Sequence, residues 1–152
     1  MKFRWLNLFS TVILIGLSCN AMTTAADQNS FTDAIQIHAQ YIKEIRNKAL
    51  TGEAKVRARQ WSGRYHQALQ HFAQEAWKLG LNRQQIEDLI GPADTIVEPN
   101  SSAFAHAEQL TQWQGKPTGN WHSYFWRGQH DQLLFAFDGQ TLTGVGWLYS
   151  YE

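Results

Sequence analysis

Apolar residues recur along this chain in three rhythms, and each predicts a different kind of element. The first is a nearly unbroken run. Leu6 to Leu17 is apolar except for Asn7, Ser10, Thr11 and Gly16. Lys2 and Arg4 precede it, and small residues follow through Ala21 to Thr24-Ala25-Ala26. A basic start, an apolar stretch and a small-residue cleavage site, in that order, read as a bacterial secretory signal. Residues 1–26 are therefore expected to be removed, by cleavage after Ala21 or after Ala26. The run is about a dozen residues, short of the roughly 20 that a membrane-spanning helix needs.

The second rhythm is helical. Phe31, Ile35, His38, Ile42, Ile45 and Ala49 recur at alternating spacings of four and three, which makes one apolar stripe. Ser30 with Asp33 resembles a capping box, and Gly52 is placed to end the helix in a left-handed cap. Trp61, Tyr65, Leu69, Phe72, Ala76 and Leu79 form a second stripe that ends at Gly80. The short Thr51–Gly52 break predicts an antiparallel helical hairpin. One long, kinked helix is the alternative, because a single glycine is not an obligatory stop. A third, short helix is marked at both ends. Asn82 and Gln85 make a capping box, Ile86, Leu89 and Ile90 form the apolar face, Gly91 suits a left-handed C′ position, and Pro92 blocks continuation.

The third rhythm is alternation, and it predicts antiparallel strands. Thr95–Glu98 alternates weakly, and Phe104–Leu110 fits a strand or a turn of helix. Trp121, Ser123, Phe125 and Arg127 alternate with His122, Tyr124 and Trp126. Leu133–Phe137 is a strand, Asp138-Gly139 signals a type I′ hairpin turn, and Leu142–Tyr151 closes the sheet. Pro99–Ser102 and Gly115–Asn120 read as loops. The expected fold class is α+β: a helical hairpin and a short third helix packed on a three- or four-stranded antiparallel sheet. Residues 27–152 form one domain, with 27–79 helical and 80–152 carrying the third helix and the sheet.

Composition narrows the function. Without Lys2 and Arg4 the mature chain holds 11 basic and 13 acidic side chains, a net charge of −2. No basic block stands out, so nucleic acid is not an expected partner, and anionic membrane surfaces are disfavoured. Cys19 is the only cysteine and lies within the signal. With Ser18 before it, Cys19 is a candidate for lipidation, although Gly16 and Leu17 match that pattern only in part. An incidental signal-peptide cysteine is the alternative. A lipid anchor is then the only membrane attachment expected.

Candidate chemistry is sparse. His66 and His71 are five apart, about 140° around a helix, and do not converge. His38 lies on an apolar stripe and suits a packed core. His122 and His130, with Asp131, flank one hairpin and are the best metal or hydrolase candidates, yet two histidines without an adjacent strong ligand make a weak site. No Gly-x-Ser-x-Gly elbow occurs, neighbouring His122 and Ser123 point to opposite faces, and Gly144-x-Gly146 lies within a strand. Glu75, Glu87 and Asp88 suit solvated helix faces. Neither a catalytic set, a metal site nor a cofactor is expected. Aromatics are the better lead: Trp113, Trp121, Trp126, Trp147, Tyr149 and Tyr151 crowd the last 40 residues. Large aromatics dominate binding hot spots, so Trp121, Tyr124, Trp126, Trp147 and Tyr149 are expected to form a docking surface on an open sheet face, for a protein or a glycan.

The segment Gly80-Leu81-Asn82-Arg83-Gln84-Gln85-Ile86-Glu87-Asp88-Leu89-Ile90-Gly91-Pro92-Ala93-Asp94 is followed by an aromatic strand with Trp121 and Tyr124, then Phe137-Asp138-Gly139, then Leu142. This order resembles the SmpA/OmlA (BamE-like) family of small bacterial envelope lipoproteins, and the wider fold group that includes the β-lactamase inhibitor proteins. The resemblance covers Gly80 to Glu152. It implies a helix pair on a small antiparallel sheet and a non-enzymatic binding role in the periplasm or at the outer membrane, such as supporting assembly of an envelope complex. The partner would be another envelope protein. The matching positions are structural ones, so the resemblance carries over no functional residue. One alternative is an inhibitor or immunity protein acting through the Pro99–Ser102 or Gly115–Asn120 loop. Another is an envelope hydrolase built on His122, His130 and Asp131.

Overall fold

The computed structural model describes residues 25–47, 51–102, 105, 107–108 and 112–149, with side chains from Asp33 onward. The expectations placed on the signal, Cys19, Ala49, Phe104, Leu110 and Tyr151 lie outside these residues, as do the side chains of Ser30 and Phe31. Four helices pack against a five-stranded antiparallel open sheet: α1 (Ala25–Arg46), α2 (Gly52–Ala58), α3 (Arg64–Leu79), α4 (Arg83–Ile90), β1 (Thr95–Val97), β2 (Gln112–Gly115), β3 (Asn120–Arg127), β4 (Asp131–Asp138) and β5 (Thr141–Tyr149). The α+β class is as expected. No described helix is long and apolar enough to cross a membrane.

Helices α1 and α3 form the hairpin. Ile35, Ala39, Ile42 and Ile45 of α1 are buried against Tyr65, Ala68, Leu69, Phe72, Ala73 and Ala76 of α3. Several boundaries differ from the sequence reading. Helix α1 begins at Ala25, so Ser30 and Asp33 lie inside it and not at its cap. Gly52 starts α2 and does not end α1. Trp61 lies on a turn before α3, and Leu79 is exposed. The turn depends on Gly63, where a β-carbon would meet the Ala58 carbonyl oxygen at 2.5 Å.

The remaining caps are close to expectation. Gly80 ends α3 in the left-handed region. Asn82 and Gln85 of α4 exchange side-chain and backbone hydrogen bonds, each of 2.9 Å. Gly91 has positive φ, but ψ of 172° makes it extended and not a left-handed cap. Around it, Lys43 donates to Asp88 O at 2.8 Å, Tyr124 donates to Gly91 O at 3.1 Å, and Arg46 pairs with Asp94 at 2.7 Å. Asp94 also accepts from Phe125 N at 2.7 Å, so its carboxylate ties α1 to β3 just past the end of α4.

The sheet order is β1-β3-β4-β5-β2. The fifth strand, β2, escapes sequence reading because Gln-Trp-Gln-Gly holds one apolar residue and sits at an edge. In the β4–β5 hairpin Asp138 pairs with Thr141, so the turn is Gly139-Gln140. Of these two only Gly139 has positive φ, which excludes type I′. Alternation holds across β3 and β4. Tyr124, Trp126, Leu133, Phe135 and Phe137 face the helices, and Trp121, Leu134 and Ala136 face the other way. Side chains on that second face are buried as well: Val97 and Trp113 of the edge strands flank them and Ala107 packs against them. Burial on both faces explains why β4 reads Leu-Leu-Phe-Ala-Phe, since a strand with two dry faces has no polar side.

Candidate functional site

The expected five-residue aromatic surface does not form. Trp121, Tyr124 and Trp126 have no exposed area, and Trp121 lies on the opposite face from the other four. The reason is that neither sheet face is open. Trp126 is buried beneath His66, whose ring stacks on it at 3.9 Å, and Tyr124 sits under the Arg46 guanidinium at 4.9 Å. Trp147 and Tyr149 stay half-buried, with nearly parallel rings 5.8 Å apart.

A residue absent from the expected set joins these two. Trp61 is 57% exposed on the α2–α3 turn, and its ring lies 5.2 Å from Tyr149 and 5.4 Å from Trp126. Trp61, Tyr149 and Trp147 thus form a continuous aromatic shelf along the edge where α3 meets the sheet.

Cations gather at the Trp61 end of this shelf. Lys55, Val56, Arg59, Gln60, Arg127 and Gly128 line a shallow cavity of about 330 Å³. Arg59 also lines a second, of about 260 Å³, with Lys43, Arg46, Tyr65 and Asp94. Five cations and one carboxylate therefore line two adjoining cavities. Arg127 leans over Trp126 at 5.7 Å, and its Nε donates to buried Asp131 at 2.6 Å. Arg59 lies over Tyr65 at 5.2 Å and donates to Trp126 O at 3.3 Å. Arg57 pairs with Glu53 at the surface, and Val56 beside it is 63% exposed. The expectation of no basic block is corrected here. Net charge averages over the chain, whereas folding brings Lys43 and Arg46 of α1 to the Lys55-Val56-Arg57-Ala58-Arg59 stretch and to Arg127. That stretch, followed by Trp61, was the visible signal.

The histidine candidates separate. His122 is buried near the start of β3, and Glu87 Oε1 lies 3.2 Å from its Nδ1, close enough to attract but off the line of a hydrogen bond. His130 lies beyond the Arg127–Asp131 pair, so about 16 Å of strand separates it from His122. The hydrolase set His122, His130 and Asp131 is therefore not assembled. His38 is half-buried and stacks on His71 at 5.0 Å, in place of a fully packed core position. His66 and His122 are both held neutral by burial, which lowers their pKa against the opposing pull of Asp131 and Glu87 respectively. Among the described residues no three His, Cys, Asp or Glu side chains come together as a metal site.

The loops proposed for an inhibitor differ from each other. Asn100 takes positive φ in the Pro99–Ser102 turn. Residues 116–118 are pinned to β5, with Lys116 N donating to Thr143 O and Thr118 N to Thr143 Oγ1. A groove of about 730 Å³ crosses the far face beside β1, lined by Ile96, Val97, Phe125 and Leu148 together with Asp94, Glu98 and Gln132. Its lining is mixed, with no cluster of like groups to select a ligand. No protein-family model, curated protein or solved structure matches this chain.

Proposed function

We propose that this chain is an exported, non-catalytic binding protein of the bacterial envelope, and that it holds an acidic surface of another envelope protein against its basic, Trp61-tipped pole. The observation that carries this reading is the pole itself: five cations around two adjoining cavities, with Trp61 and Val56 exposed beside them. Exposed tryptophan and arginine are the side chains most enriched at binding hot spots, and a surplus of positive charge steers an acidic partner. The secretory signal and the resemblance of Gly80–Glu152 to the SmpA/OmlA (BamE-like) family support the compartment and the non-enzymatic role.

Photo-crosslinking in intact cells tests it. A photoreactive residue in place of Val56 should capture an acidic envelope protein, identified by mass spectrometry. The yield should collapse in the Lys55→Glu/Arg57→Glu variant, whose substitutions lie on the surface. Capture that is unchanged by the double variant, or equal from the exposed position Ile37 on α1, would refute the assignment.

A further inference from the structure

Helix α3 and the edge strand β2 stand on either side of a cleft of about 350 Å³ that the pole does not use. Its lining is unusual in composition. Gln112 lies directly opposite Trp147 and Gln114 opposite Val145. Directly opposed residues share a face, and Val145 and Trp147 face the helices. Both glutamines therefore stand on the helix side. Gln70 and Gln74, four apart, project from one face of α3. Ala73, Val145 and Trp147 add apolar surface to the lining, and no charged side chain takes part. None of the four carboxamides has a hydrogen-bond partner among the described residues.

We propose that this cleft binds a neutral glycan. Each carboxamide offers two N–H donors and a carbonyl acceptor in one rigid plane. A sugar ring presents hydroxyls that both donate and accept, so four such groups on facing walls can be satisfied by adjacent hydroxyls of one ring. The lack of charge selects a neutral ligand, because nothing in the lining offsets the desolvation of an ion. Trp147 supplies an aromatic surface for the C–H face of the sugar. The volume falls within the roughly 300–1,000 Å³ of small-molecule sites. Tyr149, parallel to Trp147, continues the path, so a chain of several sugars would contact more protein than one sugar does. An extended peptide fits less well. It would pair with the open backbone edge of β2, in the plane of the sheet, and leave the carboxamides on the sheet face unused.

The test is titration calorimetry and tryptophan fluorescence of the mature protein with chitotetraose, maltotetraose and cellotetraose, each up to about 10 mM. One of the three should bind saturably and shift the tryptophan emission, and its tetramer should bind more tightly than its dimer. Gln74→Ala/Gln112→Ala changes two exposed carboxamides. It should weaken binding about tenfold with the thermal midpoint unchanged. Lys55→Glu/Arg57→Glu should leave sugar binding intact, which separates this site from the pole. No saturable binding by any of the three sugars, binding that survives the glutamine double variant, or binding of an extended peptide in their place would each overturn the proposal.

Discussion

Among the described residues, the helix-covered face of the sheet and the far face bury different sets of apolar side chains. On the helix side nineteen buried residues form one cluster that draws on α1, α2, α3, α4 and three strands. On the far side the described buried residues Ala107, Trp121, Leu134, Ala136 and Leu148 make a second, thinner cluster with Val97 and Trp113 against it. The two differ in what surrounds a cavity if one is made. The first cluster is enclosed by four helices and three strands, whereas among the described residues the second has only Ala107 from outside the sheet. Cavity cost depends on how far the surroundings collapse.

Substitutions on the two faces sharpen this contrast. Phe72→Ala, at the centre of the thick cluster, is expected to cost about 4 kcal/mol. Leu134→Ala, in the thin one, is expected to cost about 2.5 kcal/mol, at the low end for its type. Urea denaturation of both variants measures the difference, and an equal or larger loss for Leu134→Ala would break the comparison. Next in size is Asp94→Ala, which removes the carboxylate shared by Arg46 and Phe125 N. About 2 kcal/mol is expected, with faster hydrogen exchange in α4 than in β5. Loss of the α4 cap by Asn82→Ala should cost about 1 kcal/mol, read as a lower thermal midpoint.

Acidification supplies the last prediction, a slope in place of a single loss. His66 and His122 both lie on the helix side, and burial lowers both pKa values from 6.5. The unfolded chain therefore takes up protons first. The stability held by these neutral rings is complete above about pH 6.5 and falls as pH drops through the interval down to the folded pKa values. Stability measured from pH 7 to pH 5 should decline, and His66→Phe and His122→Phe should each flatten the decline. An unchanged slope in both would remove these two histidines as its cause.

Legibility followed the range of the forces involved. The Asn82–Gln85 box, the Gly80 cap, the α3 stripe and the two-faced alternation of β3 were readable because each is settled by residues within a few positions. Helix α2 was not, since Lys-Val-Arg-Ala-Arg shows little helical stripe and buries only Ala58. Strand β2 was not, because its single tryptophan gives no alternation to see. Trp147 and Tyr149 share one face of β5, as alternation along a strand predicts. Trp61 reads in the sequence as the first residue of the second apolar stripe, and only the turn at Ser62 and Gly63 turns it outward.

Local pattern thus determined the α+β class, the Gly80 and Asn82 caps and which residues share a face on β3 and β4. Dihedral preferences and hydrogen bonds between near neighbours are written into short stretches of chain. Tertiary structure alone decided which aromatics are buried, where the cations meet and which glutamines face one another across a cleft. A side chain's exposure depends on what covers its face, and that cover comes from segments far away in sequence. Trp121 and Trp61 show the two outcomes: the one expected at the surface is sealed beneath Ala107 and Trp113, and the one expected in a helix stands in solvent.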